Sequence, residues 1–404
     1  MEPNYRLGVL GSLVWPGQQH GNQQILDQRM AMMWVRDNIA NFGCDPNSVT
    51  IWGESAGAMS VAVHLVSPGS AGLFHRAIME SNVAGFQYQN EAAQRLTFGQ
   101  NFLKLSGCGD WKNISCLQEI DAHDVIEYGE KASGSALEGL LDRILEDGHV
   151  EDAFAMQWSP VIDMFELTAQ PLQLFDSGKW NHVPVLLGSN QDEGATFIYA
   201  GIRDKIPELL FPLLMDAIFT KSGKNVTEFY SEASENWHDA RDSLSYILTD
   251  YWFKCSAAKI ALAASKKGMN SYVYRFDHVL SFPQLFPMFG LPDVCENRTC
   301  HASEIPFVFG NYANFSVDQD ELDMSSDFFS YWGSFARTAD VNDGISDGER
   351  PYWPLFNSSS RLNMRMGIPR LVESTKTGQQ GSDPALRHTE GVCDFFDRIV
   401  GYNH

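Results

Sequence analysis

The pentapeptide Gly53-Glu54-Ser55-Ala56-Gly57 is the part of this sequence whose residue types and spacing could do chemistry. A β-branched run, Val49-Thr50-Ile51-Trp52, leads into it, and a helical pattern from Ala58 to Leu65 leaves it. Small residues two before and two after a serine permit a sharp strand-to-helix turn, where larger side chains would meet neighbouring backbone. Such a turn lifts the Ser55 hydroxyl above the sheet, at the start of a helix. There the Ala56 N–H and the helix dipole can stabilise an oxyanion. The simpler alternative is a serine that caps a helix after a strand. A serine nucleophile needs a base, and the base needs an orienting acid. For a serine on such a turn the chain order is Ser, then Asp or Glu, then His. Asn190-Gln191-Asp192-Glu193-Gly194 follows an apolar run and places two carboxylates at the C-terminal end of a strand, where sites on open α/β sheets gather. Downstream lie His238, His278, His301, His388 and His404. His301 stands between a cysteine-bounded loop and the apolar run Ile305-Pro306-Phe307-Val308-Phe309, which could anchor it; His404 is terminal and His238 falls on a polar helical face. Spacing alone chooses neither between Asp192 and Glu193 nor among the histidines.

The elements that must hold these groups alternate between strand and helix. Asp27 to Phe42 carries Met30, Met33, Trp34, Ile39 and Phe42 near helical spacing, with Gly43 to end it. Val49 to Trp52 reads as a short buried strand broken by Gly53, and Ala77 to Met79, Val183 to Leu187 and Ser271 to Phe276 as further strands. This alternation predicts a mostly parallel sheet flanked by helices. Residues 201–264 read as mainly helical, a side subdomain within one domain over 1–404. Thr375 to Pro384 reads as a linker before a last helix carrying Cys393.

Composition removes other classes. The chain has 404 residues, 44% hydrophobic and only 20% charged, enough apolar material for a sizeable core and unlike a disordered chain. A net charge of −22 would repel a phosphate backbone, so no nucleic-acid partner is expected. Apolar stretches such as Leu209 to Phe219 are short and interrupted by Asp216, so no transmembrane segment is expected. No zinc-binding helix motif, phosphate-binding loop or dinucleotide fingerprint occurs, and no metal or cofactor is expected. Sequons stand at Asn113, Asn225, Asn297, Asn314 and Asn357. Of seven cysteines, Cys108 and Cys116 bracket one short loop and Cys295 and Cys300 another, and both could close as local disulfides. Sequons and loop-closing pairs point to an oxidising compartment. The segment Met1 to Gly11 has no basic n-region or cleavable apolar stretch, so the expectation is a secretory-pathway protein whose signal peptide is absent from this chain. Gly401-Tyr402-Asn403-His404 is no ER-retention signal, which favours secretion.

Several blocks in order resemble the type-B carboxylesterase/cholinesterase family. They are Asn4 to Gly11, Gly21-Asn22 with Leu26 to Arg29, Val49 to Ser60, Asp192-Glu193-Gly194, Tyr272 to Phe276, His301 through Gly310, and Phe335-Ala336-Arg337-Thr338. The run Val49-Thr50-Ile51-Trp52-Gly53-Glu54-Ser55-Ala56-Gly57-Ala58 is highly specific to that family.

The resemblance implies an α/β-hydrolase fold and cleavage of small-molecule carboxylic esters through an acyl-enzyme. It gives Ser55 as nucleophile, Glu193 as acid and His301 as base, with Ala56 as one oxyanion-hole N–H and Glu54 supporting the site. It also implies a local Cys108–Cys116 bridge and a Cys255–Cys393 bridge tying the last helix to the body. Cys295–Cys300 would be a local addition, and Cys44, at a place where the family usually has glycine, the unpaired thiol. Family members carry further N-terminal strands and a His-Gly-Gly-Gly loop with other oxyanion donors. Here the block that follows that loop begins at Asn4 and no His-Gly-Gly-Gly occurs, so the chain is expected to be N-terminally truncated, with activity impaired as it stands. The family also includes cholinesterase-like adhesion proteins, and an inert fragment is the remaining alternative. The adhesion proteins usually lack a member of the triad, whereas Ser55, Glu193 and His301 are all present here.

Overall fold

The computed structural model describes residues 1–15, 21–133, 158–231, 239–288, 290, 292–312, 315–346, 348–374 and 391–400. The linker at 375–384, the histidines His238, His388 and His404, the sequon residue Asn314 and the terminal Gly401 to His404 lie outside the described residues. The chain divides into two compact units. One comprises Met1–Val49, Ala62–Phe74 and Phe86–Asn181, the other Thr50–Val61, His75–Gly85 and His182–His404.

In the first unit the helix α1 (Gln23–Asn38) buries Ile25, Gln28 and Met32, and a 3-10 turn, Ile39–Phe42, extends it. Gly43 closes that turn at φ 81°, a conformation open to glycine and strained for other residues. A small core of Val9, Phe102, Leu103, Leu117 and Trp158 is flanked by the Cys108–Cys116 disulfide.

The second unit holds the sheet. Its strands are β1 (Thr50–Glu54), β2 (Arg76–Glu80), β3 (Val185–Asn190), β4 (Ser271–Phe276), β5 (Leu362–Met366) and β6 (Leu371–Ser374). They lie side by side in that order, with β1 to β5 parallel and β6 antiparallel to β5. Every residue of β3 and β4 is buried, as central parallel strands covered on both faces must be. β1, paired among the described residues to β2 alone, is largely half-exposed. On one face Leu186, Tyr274 and Phe276 pack with Phe328, Trp332 and Phe335 of α8 (Gln319–Thr338). That helix begins with a capping box in which Asp318 and Glu321 each bind the other's backbone N–H. The helices α2 (Ala56–Val66), α3 (Glu193–Gly201), α4 (Phe211–Phe219), α5 (Ala240–Leu248), α6 (Cys255–Lys266), α7 (Ile305–Phe309) and α9 (Val392–Phe395) complete the elements used below. The expected strands are present, β4 with the bounds expected and β1, β2 and β3 with shifted ends, and β5 and β6 are additions that local sequence pattern did not predict. One expectation is corrected: Gly53 does not break the first strand, which continues through Gly53 and Glu54 and ends where the backbone turns at Ser55.

The Cys255–Cys393 disulfide joins the start of α6 to α9 across 138 residues, whereas Cys108–Cys116 and Cys295–Cys300 span 8 and 5. Cys44 is free and exposed. Loop-closure entropy grows with the logarithm of loop length, so the long bridge contributes at most about 5 kcal/mol and each short one about 2–3 kcal/mol. Paired cysteine-to-serine variants unfolded in denaturant are expected to rank in that order; equal losses from the long and short bridges would contradict it.

Candidate active site

All three residues of the expected triad belong to the second unit. Ser55 sits at φ 55°, between the end of β1 and the first residue of α2. Its N–H donates to the Glu80 carbonyl at 3.0 Å, which ties the turn to the neighbouring strand. Its carbonyl accepts from the Met59 N–H at 2.9 Å, so it already belongs to the helix. The turn is tight on one side only. A Cβ on Gly53 would stand 2.3 Å from the Gly57 carbonyl carbon and 2.4 Å from its oxygen, so only glycine fits there. A Cβ on Gly57 meets nothing within 4 Å among the described residues beyond its own helix. The expectation that both glycines are sterically required therefore holds for Gly53 and is corrected for Gly57. Ala56 occupies the first helical position, where backbone N–H groups have no partner within the helix.

His301 directly follows the Cys295–Cys300 bridge and precedes α7. Its Nε2 lies 2.7 Å from Ser55 Oγ, and its Nδ1 lies 2.5 Å from Glu193 Oε2. Its backbone N–H donates to Thr196 Oγ1 at 3.2 Å. Glu193 opens α3 and is fully buried. Its other oxygen accepts from the Ser81 hydroxyl at 2.6 Å and the Asn190 N–H at 2.7 Å. The neighbouring carboxylate acts elsewhere. Asp192 accepts from the Thr299 N–H at 3.1 Å and so fixes the loop that leads to His301. Of the two acids left open by spacing, Glu193 is the one that meets the His301 ring. His278 is engaged away from this line, 2.8 Å from Glu321.

Further carboxylates surround these groups. Glu54 Oε1 lies 3.3 Å from His301 Nε2. Burial pushes the Glu54 carboxyl up to about 8; the His301 charge opposes the rise, and Glu304 and Glu193 add to it. Glu304, fully buried, accepts from Asn190 Nδ2 at 2.6 Å and from the Tyr274 hydroxyl at 3.1 Å. Burial, with the Glu193 charge, lifts its carboxyl to about 7. Glu80 accepts from the Trp52 indole N–H at 2.9 Å and from that of Trp332, and its carboxyl is raised chiefly by burial. Burial disfavours the His301 imidazolium, but Glu193, Glu54 and Glu304 outweigh it and hold the ring at about 9.

Ser81 and Glu80 lie outside every segment singled out in the sequence, while Asn190 and Glu304 lie inside such segments without being marked themselves. Glu80 and Asn190 stand at the C-terminal ends of β2 and β3 and Ser81 directly follows β2, a position that could have drawn attention to them. Of the sequon residues, Asn113, Asn225 and Asn297 are exposed and Asn357 is half-buried. Among the described residues no cluster of three or more His, Cys, Asp or Glu could hold a metal, and no helix is long and apolar enough to cross a membrane.

The sequence profile of the carboxylesterase family matches residues 1–381. The chain is 34% identical to the Crystal protein of Dictyostelium discoideum over 99% of its own length and 68% of that protein's. It is 32% identical to the cAMP-regulated D2 protein of the same organism, covering 85% of this chain and 61% of the relative. It is 30% identical to Acetylcholinesterase 1 of Caenorhabditis briggsae, covering 97% and 64% respectively. The chain thus spans about two thirds of the length of these relatives. With a mostly parallel sheet flanked by helices and a profile match over nearly its whole length, the chain belongs to the carboxylesterase family and has the α/β-hydrolase fold.

Proposed function

We propose that the chain is a serine hydrolase that cleaves carboxylic esters through an acyl-enzyme. The observation that carries the reading is the unbroken line from Ser55 Oγ through the His301 ring to Glu193, at 2.7 and 2.5 Å. In this reading Nε2 of His301 takes the Ser55 proton as Oγ attacks the ester carbonyl carbon. Negative charge gathers on the carbonyl oxygen, near the Ala56 N–H and the start of α2. Collapse of the tetrahedral intermediate expels the alkoxide, which leaves as an alcohol with the proton held on His301. Water then repeats the sequence on the acyl-serine and releases the acid. Glu193 holds the tautomer that carries its proton on Nδ1 and offsets the imidazolium charge. Three disulfides and exposed sequon residues at Asn113, Asn225 and Asn297 support passage through the secretory pathway, with glycans at those positions and at Asn314 and Asn357.

Chain produced in a eukaryotic secretory host is expected to release p-nitrophenol from short-chain p-nitrophenyl esters, with a burst of about one equivalent before steady turnover. A rate no greater than that of heat-denatured chain would overturn the reading.

The base must be neutral to accept a proton, so kcat/KM is expected to rise with pH through the His301 pKa, held at about 9, above the ordinary imidazole range. A carboxylate beside the ring favours its charged form. Glu54→Gln is therefore expected to move this acid limb to lower pH, by about one pH unit. A limb that stays in place or moves upward would contradict the role given to Glu54.

A further inference from the structure

Between α5 and α6 the chain runs as a π-helix, Thr249–Lys254. π-Helical turns are rare, and one that persists in a fold often serves a site. This one meets the His301 ring and the backbone of the residue next to Glu193. Thr249 Oγ1 accepts from the Gly194 N–H, one residue after Glu193, at 2.9 Å, and itself donates to the Ser245 carbonyl at 2.8 Å. The approach is too close for any side chain at Gly194, whose Cβ would stand 2.1 Å from that same carbonyl oxygen. Phe253 is fully buried with its ring centroid 5.4 Å from that of His301. It stacks on Phe197 at 6.0 Å, and Phe197 lies 4.9 Å from His301, so two aromatic rings bound the imidazole. The Ser256 hydroxyl lies 2.5 and 3.0 Å from the Trp252 and Phe253 carbonyls of the turn and 3.2 Å from the carbonyl of Asn82, the residue after Ser81. One residue of helical register is a rotation of about 100°, so an α-helical path through the same residues would aim the Phe253 side chain elsewhere.

We propose that the π-helical turn Thr249–Lys254 positions the acid and base of the site, and that Phe253 is the positioning residue that fixes the His301 ring. The inference rests on His301 as the base of the proposed ester hydrolysis. The test compares Phe253→Leu with Phe328→Leu, a buried ring of the same unit on the α8 side of the sheet. Two readouts are followed: kcat and KM on a p-nitrophenyl ester, and the downfield proton resonance of the His301 Nδ1–H. Phe253→Leu is expected to lower kcat by about 10-fold to 100-fold with KM nearly unchanged, and to broaden or displace the resonance. Phe328→Leu is expected to lower the melting temperature and leave both readouts in place. If Phe253→Leu only lowers the melting temperature, with kcat and the resonance as in the wild type, the inference is overturned. A wild-type chain without esterase activity would remove the functional reading, and the resonance comparison would still decide the positioning. Should the leucine variant fail to fold, Phe253→Met is measured in the same two ways.

Discussion

Replacing Ser55 by alanine is expected to lower ester hydrolysis by about 10⁴- to 10⁶-fold while leaving the fold intact. The size follows from the loss of the hydroxyl that lies 2.7 Å from His301 Nε2 and forms the acyl bond. The Ser81 hydroxyl donates to Glu193 and Glu304 and so stands behind the acid. The residual rate is what the oxyanion-stabilising groups and binding supply over water. Alanine is as strained as serine at φ 55°, and the Ser55 backbone bonds to Glu80 and Met59 do not involve the hydroxyl. The melting temperature is therefore expected to stay within a few degrees. A variant that hydrolyses p-nitrophenyl esters at the wild-type rate would show that Ser55 is not the nucleophile.

Glu193→Gln is expected to lower kcat by about 10⁴-fold, although the substitution is nearly isosteric. The two carboxylate oxygens accept from different donors. Oε2 faces His301 Nδ1, and Oε1 accepts from the Ser81 hydroxyl and the Asn190 N–H. A glutamine has one oxygen. If that oxygen stays with Ser81 and Asn190, its NH2 group faces Nδ1 and forces the proton onto Nε2, where the ring can no longer accept from Ser55. If the oxygen turns to His301, the NH2 group meets the Asn190 N–H donor at close range in a dry site, which costs stability. Either orientation also removes the charge that offsets the imidazolium. The measurement is kcat on a p-nitrophenyl ester with the melting curve alongside. A loss under tenfold would mean that Glu193 does not orient the base.

The parts legible in the sequence were those carried by local pattern. β3 and β4 were readable because each contains an uninterrupted apolar or aromatic run, Val185-Leu186-Leu187 and Tyr272-Val273-Tyr274, as strands covered on both faces tend to. β5 and β6 were not, because Asn363 and Arg365 interrupt the first, and Asn363 is buried despite its polarity. The strand and helix on either side of Ser55 were readable, but the strand end was misplaced at Gly53. Glycine there serves the close approach of Gly57, and the left-handed turn falls on Ser55 itself. Asp192 and Glu193 were inseparable as adjacent acids; only the fold aims one at a loop N–H and the other at an imidazole. Ser81 is a single serine with no motif around it, and its partner Glu193 lies 112 residues away. The π-helical turn at Thr249–Lys254 leaves no mark either, since apolar spacing does not separate i→i+5 from i→i+4 bonding over six residues.

The most direct test of the central claim is the intact mass of the chain after reaction with diisopropyl fluorophosphate, followed by peptide mapping. A serine activated by His301 displaces fluoride and keeps the phosphoryl group, so a single diisopropylphosphoryl adduct is expected on the peptide containing Ser55. The same treatment of His301→Ala is expected to leave that peptide unmodified over the same time. A folded wild-type chain without an adduct at Ser55, or one labelled equally in both proteins, would contradict the account.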